Sequence, residues 1–412
     1  MASTTYAKRF YVQLGSGGGE TARTWSVSIT APDELVDLTA KGKTLREWIT
    51  QNNTALPTSV GDEMWFAGGT YLSDINNTST TTRMFSIRNG VKYYGGFAGT
   101  ETSISDRPVP LGGNPWEFTY ETIMDGQKDA PSNFTGAAQG MFAQFPSTLT
   151  YPVIFNGFTV KNFKRVMTAS GAGGVLVMYN FANIQNCKFS DNVLTTSSNT
   201  LSNGGCVFGI QYNGTISPSS FENCYFGNNV SDRGSYSALM FGGVGVVQSA
   251  ALIKGCTFEG NSSTSDYGGA LIINQSNAYT SGGATIEDCI FKGNQAKGGT
   301  GGAIYIAQAN ATSPTKTETI KNCQFISNTC STAGGTAIQV QNATKSILDI
   351  QGCTFAGNSS GVSGGVALNI ASTTIQSLAP VKNCIFRDNS GFSTGTGTGD
   401  GVALASIYAT TI

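Results

Sequence analysis

The sequence predicts an all-β fold, a right-handed parallel β-helix (solenoid) with an N-terminal cap containing a short helix, and three observations predict it. The pattern C-x-F-x-x-N begins seven times, at Cys187, Cys224, Cys256, Cys289, Cys323, Cys353 and Cys384. Successive copies lie 30 to 37 residues apart, the period of stacked supersecondary units rather than of a globular domain. A glycine pair opens a second short apolar run in most units: GGAL at Gly268, GGAI at Gly301, GGTAI at Gly334 and GGVAL at Gly364. Finally, the repeats contain no run with helical spacing, only strands too short to bury a face alone. Stacking lets the backbone groups pair along one axis and piles like side chains into interior ladders. At roughly 4.8 Å per coil, seven units make a rod on the order of 30 Å long.

Residues 1–60 supply the cap. Leu45, Trp48 and Ile49, in TLREWITQN, have helical spacing and predict a short amphipathic helix closing the first coil. Residues 61–186 keep the strand-and-turn grammar in irregular form: GDEMWFAGGTY from Gly61, VKYYGGFAGTETSISDR from Val91, then ETIMDG and VIFNGFTV.

Residues 187–412 hold the regular repeats. Three residues before each Cys stands Ile184, Phe221, Ile253, Ile286, Ile320, Ile350 or Val381, which ends a strand. One residue before it stands Asn186, Asn223, Gly255, Asp288, Asn322, Gly352 or Asn383, types that tolerate left-handed backbone and so mark a sharp bend. Cys and Phe, two apart, then face the same side. The motif ends at Asn192, Asn229, Asn261, Asn294, Asn328, Asn358 and Asn389, and these asparagines and the seven cysteines are read as a structural ladder. In-register cysteines on parallel strands point the same way, which is poor disulfide geometry, so they are expected as buried small hydrophobes. Cys206 is expected to be buried as well, and Cys330, in a turn, to be the exposed thiol.

Two residues before each Cys the chain reads Gln185, Glu222, Lys254, Glu287, Lys321, Gln351 and Lys382. The alternating signs at Glu222, Lys254, Glu287 and Lys321, repeated by Glu259 and Lys292, set opposite charges on neighbouring coils. Such exposed pairs are worth only about 0.2 to 1 kcal/mol each.

The chain has 412 residues, 53 of them Gly, with 12% charged residues and a formal net charge of -1. No basic field exists to attract nucleic acid, and no apolar run is long enough to span a membrane. MASTTYAKRFYV has no apolar core of a secretory signal, and GVALASIYATTI reads as a strand without a closing segment, so a further C-terminal domain or anchor is expected beyond Ile412.

GDEMWFAGGTY followed by YYGGFAGTET resembles the start of β-helix surface proteins of the pectin-lyase-like superfamily found in gut-type Bacteroidetes. The FxxN and GGA[IL] repeats are similar to those of the chlamydial polymorphic outer-membrane proteins, which are adhesins. The resemblance implies a location outside the cell or on its surface, a role in adhesion or surface architecture, and glycans or surface proteins as partners. The chain departs from it in having no autotransporter barrel and in the drift of the glycine pair to GTGDGVAL.

The same superfamily contains polysaccharide lyases, glycoside hydrolases and phage tailspikes, and these are the alternatives. His is 0 in this chain, which removes the commonest general acid or base and the Gly-His-Gly element of a polygalacturonase-like site. A glycosidase needs two carboxylates at short range, whereas Asp191, Asp288, Asp349 and Asp388 do not share one register. Asp106 with Arg107, and Arg387 with Asp388, are the nearest lyase candidates and read as solvated faces. GTGTGDG, ending at Gly401, reads as a turn rather than a calcium repeat. The expectation is therefore no enzyme, no catalytic residue, no metal and no cofactor. A tailspike would need a trimerisation segment, which is not recognisable. Binding is placed on the strand after each glycine pair, where Ile272, Tyr305, Gln339 and Asn369 form an outward apolar and amide stripe suited to sugars, with Tyr279 in a flanking loop.

Overall fold

The computed structural model describes residues 7–15, 22–43, 45, 48, 60–72, 85–126, 143–144, 150–167, 174–178, 182–196, 206–210, 219–232, 245–247, 251–264, 267–275, 283–308, 317–341, 347–362, 364–371, 381–390 and 404–406. Every strand pairing among them is parallel, and the strands stack into sheets of 12, 10, 7 and 10 strands. One coil shows the circuit. Ala182–Gln185 lies in the first sheet, Lys188–Ser190 in the second, Val193–Thr196 in the third and Cys206–Ile210 in the fourth, before Ser219–Glu222 re-enters the first. This is the parallel β-helix that the repeats predict.

The expected bend is present in every unit. Asn186, Asn223, Gly255, Asp288, Asn322, Gly352 and Asn383 all have φ between 52° and 64°. The strand ends one residue later than expected, at the outward residue between the aliphatic position and the bend. A second left-handed bend, unread in the sequence, precedes each ladder asparagine: Asp191, Asn228, Gly260, Gly293, Ser327, Gly357 and Asp388 have φ between 53° and 65°. Two bends with four residues between them leave room for only a three-residue strand, so the second sheet is a narrow face with one inward column.

That column is the phenylalanine stack. Rings from Phe189 to Phe386 lie 4.6 to 5.1 Å apart, tilted by no more than 9°. The in-register backbone sets this spacing, which lies within the range of favourable aromatic pairs, worth about 0.5 to 1.5 kcal/mol each. Beside it runs the asparagine ladder. The side chain of Asn261 donates to Phe226 O at 2.8 Å and to Asn294 Oδ1 at 3.0 Å, and its backbone N–H donates to the same Oδ1 at 3.1 Å.

The ladder cysteines from Cys187 to Cys353 are at most 1% exposed and are free thiols. Burial pushes the thiols of Cys224, Cys256 and Cys289 well above their ordinary range. A thiol-reactive dye is therefore expected to leave these three unmodified in the native protein and to reach Cys384, which is only half-buried, first. Fast labelling of the inner column before unfolding would contradict the packing role. Cys330 corrects the expectation of an exposed thiol. It is 5% exposed, because it stands in an inward column of the third sheet with Leu194, Ser231, Ser263, Ala296 and Ser360. The burial of Cys206, at the start of its strand, lies outside the described side chains.

The charge column keeps its register, with Lys254 3.5 Å from Glu287 and Lys292 2.8 Å from Glu259. Lys321 turns instead to Asp349 at 3.6 Å, and Glu222 accepts from Ser220 Oγ at 2.8 Å. The Lys254–Glu287 and Lys292–Glu259 pairs stand at the surface and contribute little.

The glycine pair does two jobs. Its first member needs left-handed backbone, with φ of +66° at Gly268, +72° at Gly301, +140° at Gly334 and +87° at Gly364. Its second member needs space, because a Cβ on Gly269, Gly302, Gly335 or Gly365 would meet a neighbouring backbone or side chain far inside contact distance.

Toward the N-terminus, Phe155, Val160 and Phe163 take the places of Ile184, Phe189 and Asn192, with bends at Gly157 and Asn162. The 1–60 region does more than cap. Arg9–Gln13 and Glu34–Asp37 add two parallel strands to the first sheet beyond Glu63–Ala67. Leu45 and Trp48 are helical and buried against the same core, as the cap helix requires, whereas Ile49 lies outside the described residues. A separate aromatic cluster of Tyr11, Trp25, Trp65, Tyr94 and Phe97 lies apart from the continuous core. Among the described residues no helix is long and apolar enough to cross a membrane.

Candidate functional site

The expected binding stripe is one column but not an open one. Ile272, Tyr305, Gln339 and Asn369 stand in consecutive register on the fourth sheet. Ile272 is 0%, Tyr305 1% and Gln339 6% exposed. Tyr267 stacks on Tyr305 at 4.5 Å, and the Tyr305 hydroxyl donates to Gln341 Oε1. Gln339 Oε1 accepts from Gly335 N at 2.8 Å and from Asn369 Nδ2 at 3.0 Å. The turns that the glycine pairs create fold back over the strand and occupy the amides that sugars were expected to meet. Tyr279 and the GTGTGDG segment lie outside the described residues.

The scattered acids have local explanations. Asp191, Asp288 and Asp388 occupy left-handed bends, and Asp349 pairs with Lys321. Asp106 caps a single 3-10 turn through the Ser103 backbone. Arg107 is not the solvated residue expected. Its Nε donates to Ile104 O at 3.0 Å, Nη1 to Gly95 O at 2.8 Å and Nη2 to Asn156 Oδ1 at 3.0 Å. Burial lowers its guanidinium to about 10. Every one of these acceptors is a neutral oxygen, so Arg107 acts as a clamp.

What it clamps is an excursion of the chain. Regular coils pass from the first sheet to the second through one bend residue, but between Lys92–Phe97 and Thr122–Asp125 the chain leaves the coil. Glu101 fixes the departure, its carboxylate accepting from the N–H groups of Ala98, Gly99 and Thr100 at 2.7 to 2.9 Å. Thr119 N donates to Pro108 O at 2.9 Å and closes the loop. Gly113 N bonds Pro110 O with Gly112 at φ +72°, a tight turn whose Leu111 and Val109 are solvent-exposed.

This loop carries Trp116 to the outer face of the second sheet, where its ring meets Tyr225 at 5.7 Å and 32°. Lys188 Nζ stands 5.9 Å from the Tyr225 ring centre. The Tyr225 hydroxyl donates to Glu259 Oε2 at 3.4 Å, and burial followed by the Glu259 charge raises its pKa. Gly227 makes the platform possible, since a Cβ there would come within 2.5 Å of the phenol oxygen. Tyr225 and Gly227 are a matched pair. The equivalent second positions on other coils carry Ser190, Glu259, Lys292, Ile326, Ala356 and Arg387. Neither Trp116 nor Tyr225 stood out in the sequence. The signal for Tyr225 is CYFGNN itself, where an aromatic residue follows the repeat cysteine and glycine follows the phenylalanine.

The result is two half-buried aromatic rings on the outer face of the second sheet, with Lys188 and Glu259 beside Tyr225. Such a surface covers the apolar side of a sugar and bonds its rim.

No family model matches the chain, and no curated protein matches it. Among solved structures, the A-module of the mannuronan C-5 epimerase AlgE4 of Azotobacter vinelandii is similar at 12% identity, over 96% of this chain and 100% of that one, with a TM-score of 0.31. The A-module of the mannuronan C-5 epimerase AlgE6 of the same organism is similar at 10% identity, over 85% of this chain and 95% of that one, with a TM-score of 0.24. Likenesses at this level assign no role to any residue described above.

Proposed function

We propose that the chain is a non-catalytic β-helix rod, acting outside the cell or on its surface, that contacts carbohydrate in adhesion or surface architecture. The observation that carries this reading is the Trp116–Tyr225 platform on the second sheet, held by Arg107 and made room for by Gly227. The absence of histidine from the chain supports the non-catalytic part, as does the use of Arg107 and the bend aspartates for conformation.

A glycan array run beside lyase and hydrolase assays on acidic and neutral polysaccharides tests it. Glycan binding without new unsaturated or reducing ends is expected. Trp116→Ala and Tyr225→Ala should each weaken that binding about fivefold, the loss of roughly 1 kcal/mol of ring contact. Release of cleaved sugar ends by the pure protein would overturn the non-catalytic reading. Binding to cells or to itself, with no glycan bound, would leave architecture alone.

A further inference from the structure

Among the described residues, the outer face of the second sheet keeps partly or fully accessible side chains along the run of regular coils. Its first outward column is Lys188, Tyr225, Thr257, Ile290, Gln324, Thr354 and Ile385, in unbroken register, and none of the seven is buried. The phenylalanines directly beneath measure the rise from one coil to the next, 4.6 to 5.1 Å. That rise matches the length of one sugar unit in an extended polysaccharide. Along the column, apolar side chains at Tyr225, Ile290 and Ile385 are interspersed with hydroxyl or amide groups at Thr257, Gln324 and Thr354, the two chemistries that a pyranose ring and its rim present. Charge between Tyr225 and Thr354 cancels, because Glu259 and Lys292, on the adjoining outward column, are 2.8 Å apart. Trp116 overhangs one end of the track, at Tyr225.

We infer that the ligand is an uncharged linear polysaccharide laid along the helix axis, one sugar per coil, with its end at the Trp116–Tyr225 platform. This rests on the carbohydrate reading above and adds direction, length and charge to it. A polysaccharide crossing the rod would meet a face only three residues wide, whereas one running along it meets the same chemistry at each coil. A uronate chain would find no field of cations on the central coils.

The test is calorimetry with cello-, laminari-, xylo- and manno-oligosaccharides of two to eight units, and with oligouronates of the same lengths, at low and high salt. Affinity for one neutral series is expected to rise about tenfold between two and six units and then to level, since six outward positions run from Tyr225 to Ile385. Salt should leave it unchanged. Thr354→Asp should move the plateau from six units to four, while Trp116→Ala weakens every length. A plateau at two or three units, or one that Thr354→Asp does not move, overturns the axial track while a Trp116 effect keeps the carbohydrate function. Tighter, salt-sensitive binding of oligouronates overturns the uncharged ligand. Binding to none of the series defeats both readings.

Discussion

Gly302→Ala is expected to destabilise the protein by more than about 4 kcal/mol, the range reserved for lesions the fold cannot relax around. A Cβ at this position would stand 2.5 Å from Thr329 O and closer still to Thr336 O. Thr336 O is also the acceptor of the Gly302 N–H, at 2.9 Å. Moving the coil to relieve the clash therefore breaks the hydrogen bond that sets the spacing between coils. Both obstacles are backbone, so no rotamer change helps. The same squeeze recurs at Gly269, where the obstacle is Gly302 O, so the rod cannot absorb the strain by shifting one coil alone. Gly293 is the control. Its φ of +63° puts it in the left-handed region, but a Cβ there meets nothing within 4 Å, and the same bend is built from Asn228 and Asp191 elsewhere. Gly293→Asn should thus cost no more than about 1 kcal/mol, the usual range for a surface change with a compatible backbone. Denaturant titration of the two variants by circular dichroism checks the contrast. Equal losses would mean that the glycine pair is a turn signal and not a close approach.

That contrast also marks how far the sequence could be read. The bend before each cysteine was legible because Asn, Asp and Gly recur at one place, and those residue types share one backbone tolerance. The second bend uses the same types at Asp191, Asn228 and Gly260 and was equally legible, but Ser327 breaks the series and the asparagine beside it draws attention first. The inward face of the repeats followed from the two-residue spacing of Cys and Phe. The outward stripe on the fourth sheet did not, because exposure depends on where the preceding turn goes. Tyr267 lies on Tyr305 only because Gly268 bends the chain back. Cys330 escaped for the same reason, its short strand resembling a turn in sequence. The Trp116–Tyr225 platform joins residues more than a hundred positions apart. It exists because an irregular loop, pinned by Arg107 and Glu101, reaches over later coils, and no local pattern encodes that path.

Replacing Asn294 with alanine is expected to cost about 4 kcal/mol, and more than the same change at Asn192. Asn294 Oδ1 accepts from both the backbone N–H of Asn261, at 3.1 Å, and its Nδ2, at 3.0 Å. Asn294 Nδ2 donates to Phe258 O at 2.9 Å. Alanine would orphan the Asn261 N–H, leave Asn261 Nδ2 with Phe226 O alone, and take one donor each from Phe258 O and Asn328 Oδ1, a buried group left unmade being worth about 1 to 3 kcal/mol. Asn192 Oδ1 serves the single N–H of Phe163 at 3.0 Å, and its Nδ2 serves Val160 O at 3.1 Å, so the same change strands fewer groups. Thermal unfolding gives the order of the two losses, and hydrogen exchange gives their place. The amide proton of Asn261 should exchange faster in the Asn294 variant while that of Asn358, two rungs away on the other side, stays protected by Asn389. If both amides loosen together, the ladder acts as one polarised chain rather than as a series of local bridges, and the cost of a single rung would depend on the rod's length. If neither loosens, water has taken the side-chain oxygen's place, and the asparagine column contributes register to the stack but little of its stability.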